Sequence, residues 1–513
     1  MRSMIRSIRR PVALSVRAVA LAATCAVLAA CSGSGLTGPG TPAALTVPPI
    51  AREFRGMWIA TVANIDWPTA SGQSAGQQQT DFGQLLNVAQ QTGLNAVVLQ
   101  VRAAGDAMYS SSLEPWSRSL TGTQGVDPGY DPLTYAVAQA HQRGLELHAW
   151  FNPFRAGNLS DTLNLAATHF AKRRPDLARR YCTQLWFDPG EPEVQDHAMA
   201  VILDVVSRYG VDAVHVDDYF YPYPNNSCPG LDFPDSAAYA RFITGGGSLS
   251  RAEWRRDNVN RFVQRMYTEV HAASPLVRVG ISPFGIWRPG NPAGIVGLDA
   301  YASIYADSRY WLQQGWLDYF APQLYWSIAS TGQNFPALLD WWVQQNTRGR
   351  HLWPGLASYR TVDGTGSAFS SSEITSQIGL VRTRANLSGG STGTILYNAS
   401  SVRSDRGGFA SALATGLYAA PALPPATTWL DATAPAEPTI SVSGNVGRLT
   451  VAVTGVPDAY WWLVRWRVAG AWSQRLVPAT QPSVQVFVPA VDAIAVTAMD
   501  RVGNASTNAT WRP

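Results

Sequence analysis

Between residues 55 and 400 the chain alternates two hydrophobic rhythms. Short apolar runs with period-two alternation are separated by longer stretches with apolar positions three and four residues apart. The runs predict strands over 56–62, 94–102, 144–151, 211–217, 277–283, 317–324, 352–357 and 394–398. The stretches predict amphipathic helices, among them 82–92, 132–143, 194–209, 258–273 and 335–345. Gly93, Gly144, Gly210 and Gly349 stand where helices must turn into strands, the usual place for a left-handed C-cap. Eight strand–helix units in this order predict an α/β fold, a (β/α)8 TIM-like barrel spanning 52–420. An open doubly wound sheet fits less well, because no Gly-rich phosphate loop follows the first strand.

The rhythm changes at both ends. Residues 421–438 are rich in Pro, Ala and Thr and read as a linker. Beyond them, 439–513 carries short alternating runs at 449–453, 461–468, 484–488 and 493–499. That spacing predicts a small all-β sandwich, fibronectin type III-like in its last hairpin. At the N-terminus, Arg2, Arg6, Arg9 and Arg10 precede an apolar run ending Leu28-Ala29-Ala30-Cys31. Residues 1–30 therefore read as a lipoprotein signal peptide. Cys31 is the lipidation candidate, 31–51 a lipidated tether, and Ser32 favours the periplasmic face of an outer membrane. The expected location is the cell envelope, with contact to the membrane through the lipid anchor.

Charge sharpens this picture. The formal net charge is +4, but residues 1–30 hold five arginines and no acid, so the remainder stands at 39 − 5 − 35 = −1. No basic face is left for nucleic acid. Of four cysteines, Cys25 falls in the leader and Cys31 is the lipidation candidate, leaving Cys182 and Cys228 as a disulfide candidate in an oxidising compartment. Nineteen tryptophans in a chain only 14% charged exceed what core packing needs and point to surfaces that stack on ligand rings.

Strand alternation shows what faces the barrel mouth, where active sites of this architecture lie. On the second strand it selects Val98, Gln100 and Arg102, on the third Glu146, His148, Trp150 and Asn152. The fourth contributes His215 and Asp217, the sixth Gln323 and Tyr325, and the eighth Leu396 and Asn398. Acids, amides and rings gathered at one rim are what glycan cleavage requires, with one carboxylate as nucleophile or base and another as proton donor. Asp217 is the principal candidate. Asp218, Asp307, Glu114 and Asp106 compete for the second role, Glu114 because Trp116 beside it could raise its pKa. Asp307 has a plainer explanation as a helix N-cap. Arg102, Asp106, Asn152, Arg155, Gln323 and Asn398 are expected to bond sugar hydroxyls. Trp58, Trp67, Trp150, Tyr219, Tyr221, Tyr325 and Trp326 are expected to stack on rings. No HExxH occurs, and neither G-x-S-x-G match, at 72–76 or 389–393, directly follows a predicted strand as a nucleophile elbow must, so metalloprotease and serine-hydrolase chemistry have no foothold, and no metal or other cofactor is expected.

Several motifs in order carry a resemblance. Arg55-Gly56-Met57-Trp58, Asn64-Ile65-Asp66-Trp67-Pro68, Gln100-Val101-Arg102, Gly105-Asp106-Ala107 and Glu114-Pro115-Trp116-Ser117 are followed by Gly129-Tyr130-Asp131-Pro132-Leu133 and Phe151-Asn152-Pro153. Asp217-Asp218-Tyr219-Phe220-Tyr221-Pro222 and Pro322-Gln323-Leu324-Tyr325-Trp326 complete the series. Over about residues 52–400 the chain resembles the bacterial glycosyl hydrolase-like 10 family. The resemblance implies a glycosidase-like barrel in envelope lipoproteins, some of which cleave peptidoglycan glycan strands, with preference for strands stripped of stem peptides. The expectation is thus a glycoside hydrolase of cell-wall polysaccharide. A barrel that grips glycan without cutting it is the alternative.

Overall fold

The computed structural model describes residues 45–513; the expected signal segment with Cys25, and the expected lipidation residue Cys31, lie outside the described residues. Among the described residues, nine strand segments form one curled sheet in which every pairing is parallel. In chain order they are β1 (Phe54–Ile59), β2 (Ala96–Arg102), β3 (Glu146–Phe151), β4 (Ala213–Val216), β5 (Arg278–Ile281), β6 (Tyr319–Phe320), β7 (His351–Leu352), β8 (Gly355–Leu356) and β9 (Gly393–Leu396). The spatial order is β7-β6-β5-β4-β3-β2-β1-β9-β8. Its two ends, β7 and β8, are parted along the chain only by Trp353 and Pro354, a proline having no N–H to place in a ladder. All eight predicted strands overlap an observed one.

Helices cross over between strands: α1 (Ala75–Thr92), α2 (Pro132–Gln142), α3 (Pro192–Arg208), α4 (Arg251–Ala273), α5 (Ser308–Gln314), α6 (Phe335–Gln345) and α7 (Glu373–Arg382). Their ends follow local chemistry. Ser74 caps α1 and Gly93 closes it at φ 82°, a left-handed turn that suits glycine. Ser250 and Glu253 form a reciprocal capping box on α4.

Alternation sorts the core into two layers. Leu147, Ala149, Val214 and Val216 pack outward against helices. Val98, Trp150, Ala213, Tyr319, Trp353 and Ile395 fill the inside of the curl. At the N-terminal ends, polar residues staple each strand to its neighbour. Arg55 N donates to Asn95 Oδ1 (2.9 Å), Leu147 N to Asp212 Oδ2 (2.7 Å) and Val279 N to Asp318 Oδ2 (2.8 Å). His141 on α2 and His271 on α4 complete the last two staples.

The C-terminal part is all-β: β10 (Thr439–Asn445), β11 (Arg448–Thr454), β12 (Trp461–Val468), β13 (Ala471–Pro478), β14 (Ser483–Val486), β15 (Val491–Met499) and β16 (Ala505–Trp511). They form two antiparallel sheets, β10-β11-β14 and β13-β12-β15-β16, around Val451, Trp462, Val464, Ile494 and Val496. The module is docked, with Trp461, Leu463 and Met499 clustering with Leu423 and the partly buried Ile50. Trp429 Nε1 also donates to Asp318 Oδ1 (2.8 Å), in the third staple. Cys182 and Cys228 are joined, tying the strand pair 178–187 to the loop after β4 with a Cα–Cα distance of 5.8 Å.

Candidate active site

Strand β4 ends at Val216, and the next two residues leave regular alternation as the chain turns, with Phe220 N donating back to Asp218 O. Both Asp217 and Asp218 therefore enter one cavity of about 180 Å³ at the C-terminal ends of the strands. Its walls are Trp58 from β1, Trp150 from β3, Tyr219, Ser282 after β5, Gln323 and Tyr325 after β6, and Tyr397 after β9. The expectation that only Asp217 faces the mouth is thus corrected: with the strand ended, Asp218 turns inward too.

Asp217 is held from the β3 side. Asn152 Nδ2 lies 2.6 Å from each of its oxygens, Trp150 Nε1 donates at 3.0 Å and Tyr219 N at 3.3 Å. Burial, reinforced by the neighbouring charge of Asp218, pushes the Asp217 carboxyl up to about 7 against those donors. Asp218 is also raised by burial, opposed by the Tyr223 hydroxyl that bonds it and by Gln323. Two buried carboxyls in one cavity titrate as a pair, and with Asp217 raised to about 7 the pair holds one proton near neutrality. The N–H groups stabilise negative charge on Asp217 and the Tyr223 hydroxyl stabilises it on Asp218, so the proton is shared by the pair.

Beneath them runs a directional chain of hydrogen bonds. Trp58 Nε1 donates to His215 Nε2 (3.1 Å), and an indole only donates, so that nitrogen carries no proton. Burial holds His215 well below its ordinary pKa, with His148 adding to the effect, so the ring is neutral and its proton sits on Nδ1. Nδ1 then donates to Tyr319 Oη (2.9 Å), Tyr319 to His148 Nδ1 (2.9 Å), and His148 Nε2 to Glu146 (3.2 Å). His215 thus offers the cavity no proton; it fixes Trp58 and contacts Ser282 Oγ at 3.0 Å.

The other candidate carboxylates lie elsewhere. Glu114 is fully buried in a bidentate pair with Arg102 (2.6 and 2.8 Å) and contacts His197 (2.9 Å). Burial alone would raise its carboxyl, but Arg102 and His197 hold it down to about 2, the opposite of what the nearby Trp116 was expected to do. Paired in this way it is held ionised, clamped to Arg102 and away from the cavity. Asp307 caps α5, accepting from Tyr310 N and Trp287 Nε1 (2.9 Å). Asp106 is buried against Gln124, its carboxyl raised by burial and opposed by Gln124 and His169. None of the three lines the cavity.

Several binding candidates are likewise reassigned. Arg102 follows a register shift in the β2–β3 ladder that takes it off the inner face, and it bonds Asn152 O and Pro153 O as well as Glu114. Trp67 is wholly buried under α1, its N–H on Gln78 O (2.8 Å). Tyr221 is buried edge-on against Phe233 and Tyr305. On the last strand the phase is off by one: Ile395 faces inward and Tyr397 lines the cavity, whereas Leu396 packs outward and Asn398 begins the helix 399–403. Arg155 lies over the Tyr219 ring at 5.9 Å, and Trp326 stands edge-on to Phe284 outside the cavity lining. Alternation does not select Ser282, Tyr397 or Tyr223; of these, only Tyr397 adjoins a residue that it does select, Asn398.

A larger cleft of about 750 Å³ opens at the opposite end of the strands, between α1, α2 and β13. No acid lines it, and Gln90, Asn87 and Gln139 are bonded to Arg143. It has amides but no group for bond cleavage.

A curled parallel sheet with paired carboxyls in a ring-lined cavity at its C-terminal rim is the arrangement of sugar-processing barrels. The family model for glycosyl hydrolase-like 10 matches residues 53–367, and the chain belongs to that family. It is 41% identical over 399 residues to glycosyl hydrolase YngK of Bacillus subtilis, covering 76% of each chain. It is 36% identical over 381 residues to glycosyl hydrolase DigH of Escherichia coli K12, covering 69% of this chain and 84% of that one. Among solved structures, the glycoside hydrolase domain of PgaB (BpsB) from Bordetella bronchiseptica aligns at a TM-score of 0.46 and 14% identity, over 71% of this chain and 98% of that one. That likeness is too loose to bear on the chemistry.

Proposed function

We propose that the protein is an envelope glycoside hydrolase that cuts peptidoglycan glycan strands, preferring strands poor in stem peptides. The observation that carries this reading is the pair Asp217 and Asp218, buried together in one aromatic-walled cavity at the end of β4. Rings supply stacking surfaces for sugar faces, and a carboxyl pair holding one proton near neutrality supplies both an acid and a base. The relatives' names, glycosyl hydrolase in each case, point the same way.

In this reading the curled sheet is a (β/α)8 barrel closed through the split strand β7–β8, and the docked C-terminal module is fibronectin type III-like. Cys31 carries the lipid and holds the enzyme at the periplasmic face of the outer membrane. Asp217 is the base-side carboxylate and Asp218 the proton donor.

Incubating the purified protein with intact and with amidase-stripped peptidoglycan tests it. Soluble glycan fragments released from the stripped material are expected. Tight binding with no new reducing ends would leave the wall-gripping barrel instead.

A further inference from the structure

We propose that the nucleophile is the substrate's own 2-acylamino group: the cavity takes an N-acylated hexosamine, Asp217 holds its N–H, and Asp218 protonates the leaving oxygen. This rests on the glycosidase reading above and specifies its mechanism and substrate class.

Direct displacement by protein groups needs two carboxyls on opposite sides of the scissile bond, about 5–5.5 Å apart for retention and about 6.5–9.5 Å for inversion. Here the two acids are consecutive residues, with Cα atoms about 3.8 Å apart, entering from the same strand end. The rest of the lining is aromatic rings, Ser282 and Gln323, with no acid. The groups expected to stand across the bond are committed elsewhere, Glu114 to Arg102 and Asp307 to Trp287 and the cap of α5. No further carboxyl of the lining is therefore placed as a protein nucleophile opposite the donor.

Asp217 itself is poorly suited to covalent attack. Asn152 bonds both its oxygens, and Trp150 and Tyr219 N add further donors, so reaching an anomeric carbon would mean breaking that cradle. A cradled carboxylate is suited to orienting an amide N–H, which is the requirement when an acyl oxygen must be aimed at C1. At about 180 Å³ the cavity is below the several hundred cubic ångströms that enclose whole ligands. It suits one substituted ring, with the acyl methyl against the rings of Trp58, Tyr325 or Tyr397.

The acyl oxygen attacks C1 as the bond from C1 to the leaving oxygen breaks, and that oxygen takes the Asp218 proton. The resulting oxazolinium ion keeps its N–H on Asp217. Water then attacks C1, its proton passes to Asp218, and the ring opens to regenerate the acylamino group. Two inversions at C1 give net retention.

The test uses peptide-free glycan strands, native or N-deacetylated and re-acylated with trifluoroacetyl, whose acyl oxygen is a weak nucleophile. Reducing-end release is expected to fall about 100-fold or more with the fluorinated strands, as the intramolecular nucleophile is disabled. A thiazoline analogue of the cyclised acetamido sugar should inhibit competitively and lose affinity in Asp217→Ala. Equal rates on both strands, or no inhibition by the thiazoline, overturn the mechanism while leaving a glycosidase. No release from native strands overturns the glycosidase reading itself.

Discussion

Asp217 is held by opposing forces, and the balance is measurable. Burial and Asp218 raise its pKa, while Asn152, Trp150 and the Tyr219 amide stabilise its ionised form. The active state needs one proton on the pair, so kcat/KM should fall as pH rises through about 7, where that proton is lost. Replacing Asn152 by Ala removes donors that favour the carboxylate, so the falling limb should move to higher pH while kcat drops. A pH profile of the two proteins reads this directly; a limb that stays in place would mean Asn152 does not govern the charge. The adjacent aspartates were conspicuous in the sequence, but their shared cavity was not. Alternation assigns consecutive residues to opposite faces, and it fails where a strand stops, as β4 does at Val216.

At the scale of elements, the clamp after β2 separates structure from chemistry. Glu114 and Arg102 are both buried, and together they pin the 105–117 loop to the backbone at Asn152 and Pro153. Glu114→Gln should destabilise the fold by about 2–3 kcal/mol, because it leaves Arg102 poorly compensated. The soluble fraction should keep wild-type kcat at low temperature, as thermal unfolding and steady-state kinetics together would show. Loss of kcat without loss of stability would return Glu114 to the catalytic candidates. The alternation of strands and helices was legible because period and punctuation agreed along the chain. Site phase was legible where a polar residue marked the inner face, as with His215 and Gln323. It is lost in Gly-Thr-Ile-Leu of β9, where both faces are apolar or small, so alternation selects Asn398 and passes over Tyr397. Arg102 was misjudged for a different reason: a register shift is invisible to strict alternation.

At the scale of the whole molecule, the cavity end and the stapled end of the strands divide activity from stability. Asp212 is buried, bonds Leu147 N and pairs with His141 at 2.9 Å. Burial alone would lower the His141 pKa, but Asp212 raises it above its ordinary value; burial would raise Asp212, but His141 and the backbone hold it well down. The raised histidine stabilises fully below its unfolded pKa of about 6.5 and loses that contribution as pH climbs through its folded value. The lowered aspartate stabilises above its unfolded pKa of about 3.9 and loses that contribution in acid. Asp212→Asn should therefore cost about 2 kcal/mol and flatten the dependence of Tm on pH between mild acid and mild base. A variant whose Tm still falls over that range by as much as the wild type would show that this pair is not the titrating staple.

The account turns on Asp217 as a group that cleaves and does not merely hold glycan. Its most direct test is a time course of reducing-end release from peptide-free peptidoglycan strands by the wild-type protein and by Asp217→Asn, matched for Tm. Steady release by the wild type, at least about 100-fold slower in the variant with glycan binding retained, is the predicted result. Equal release by both proteins would contradict it.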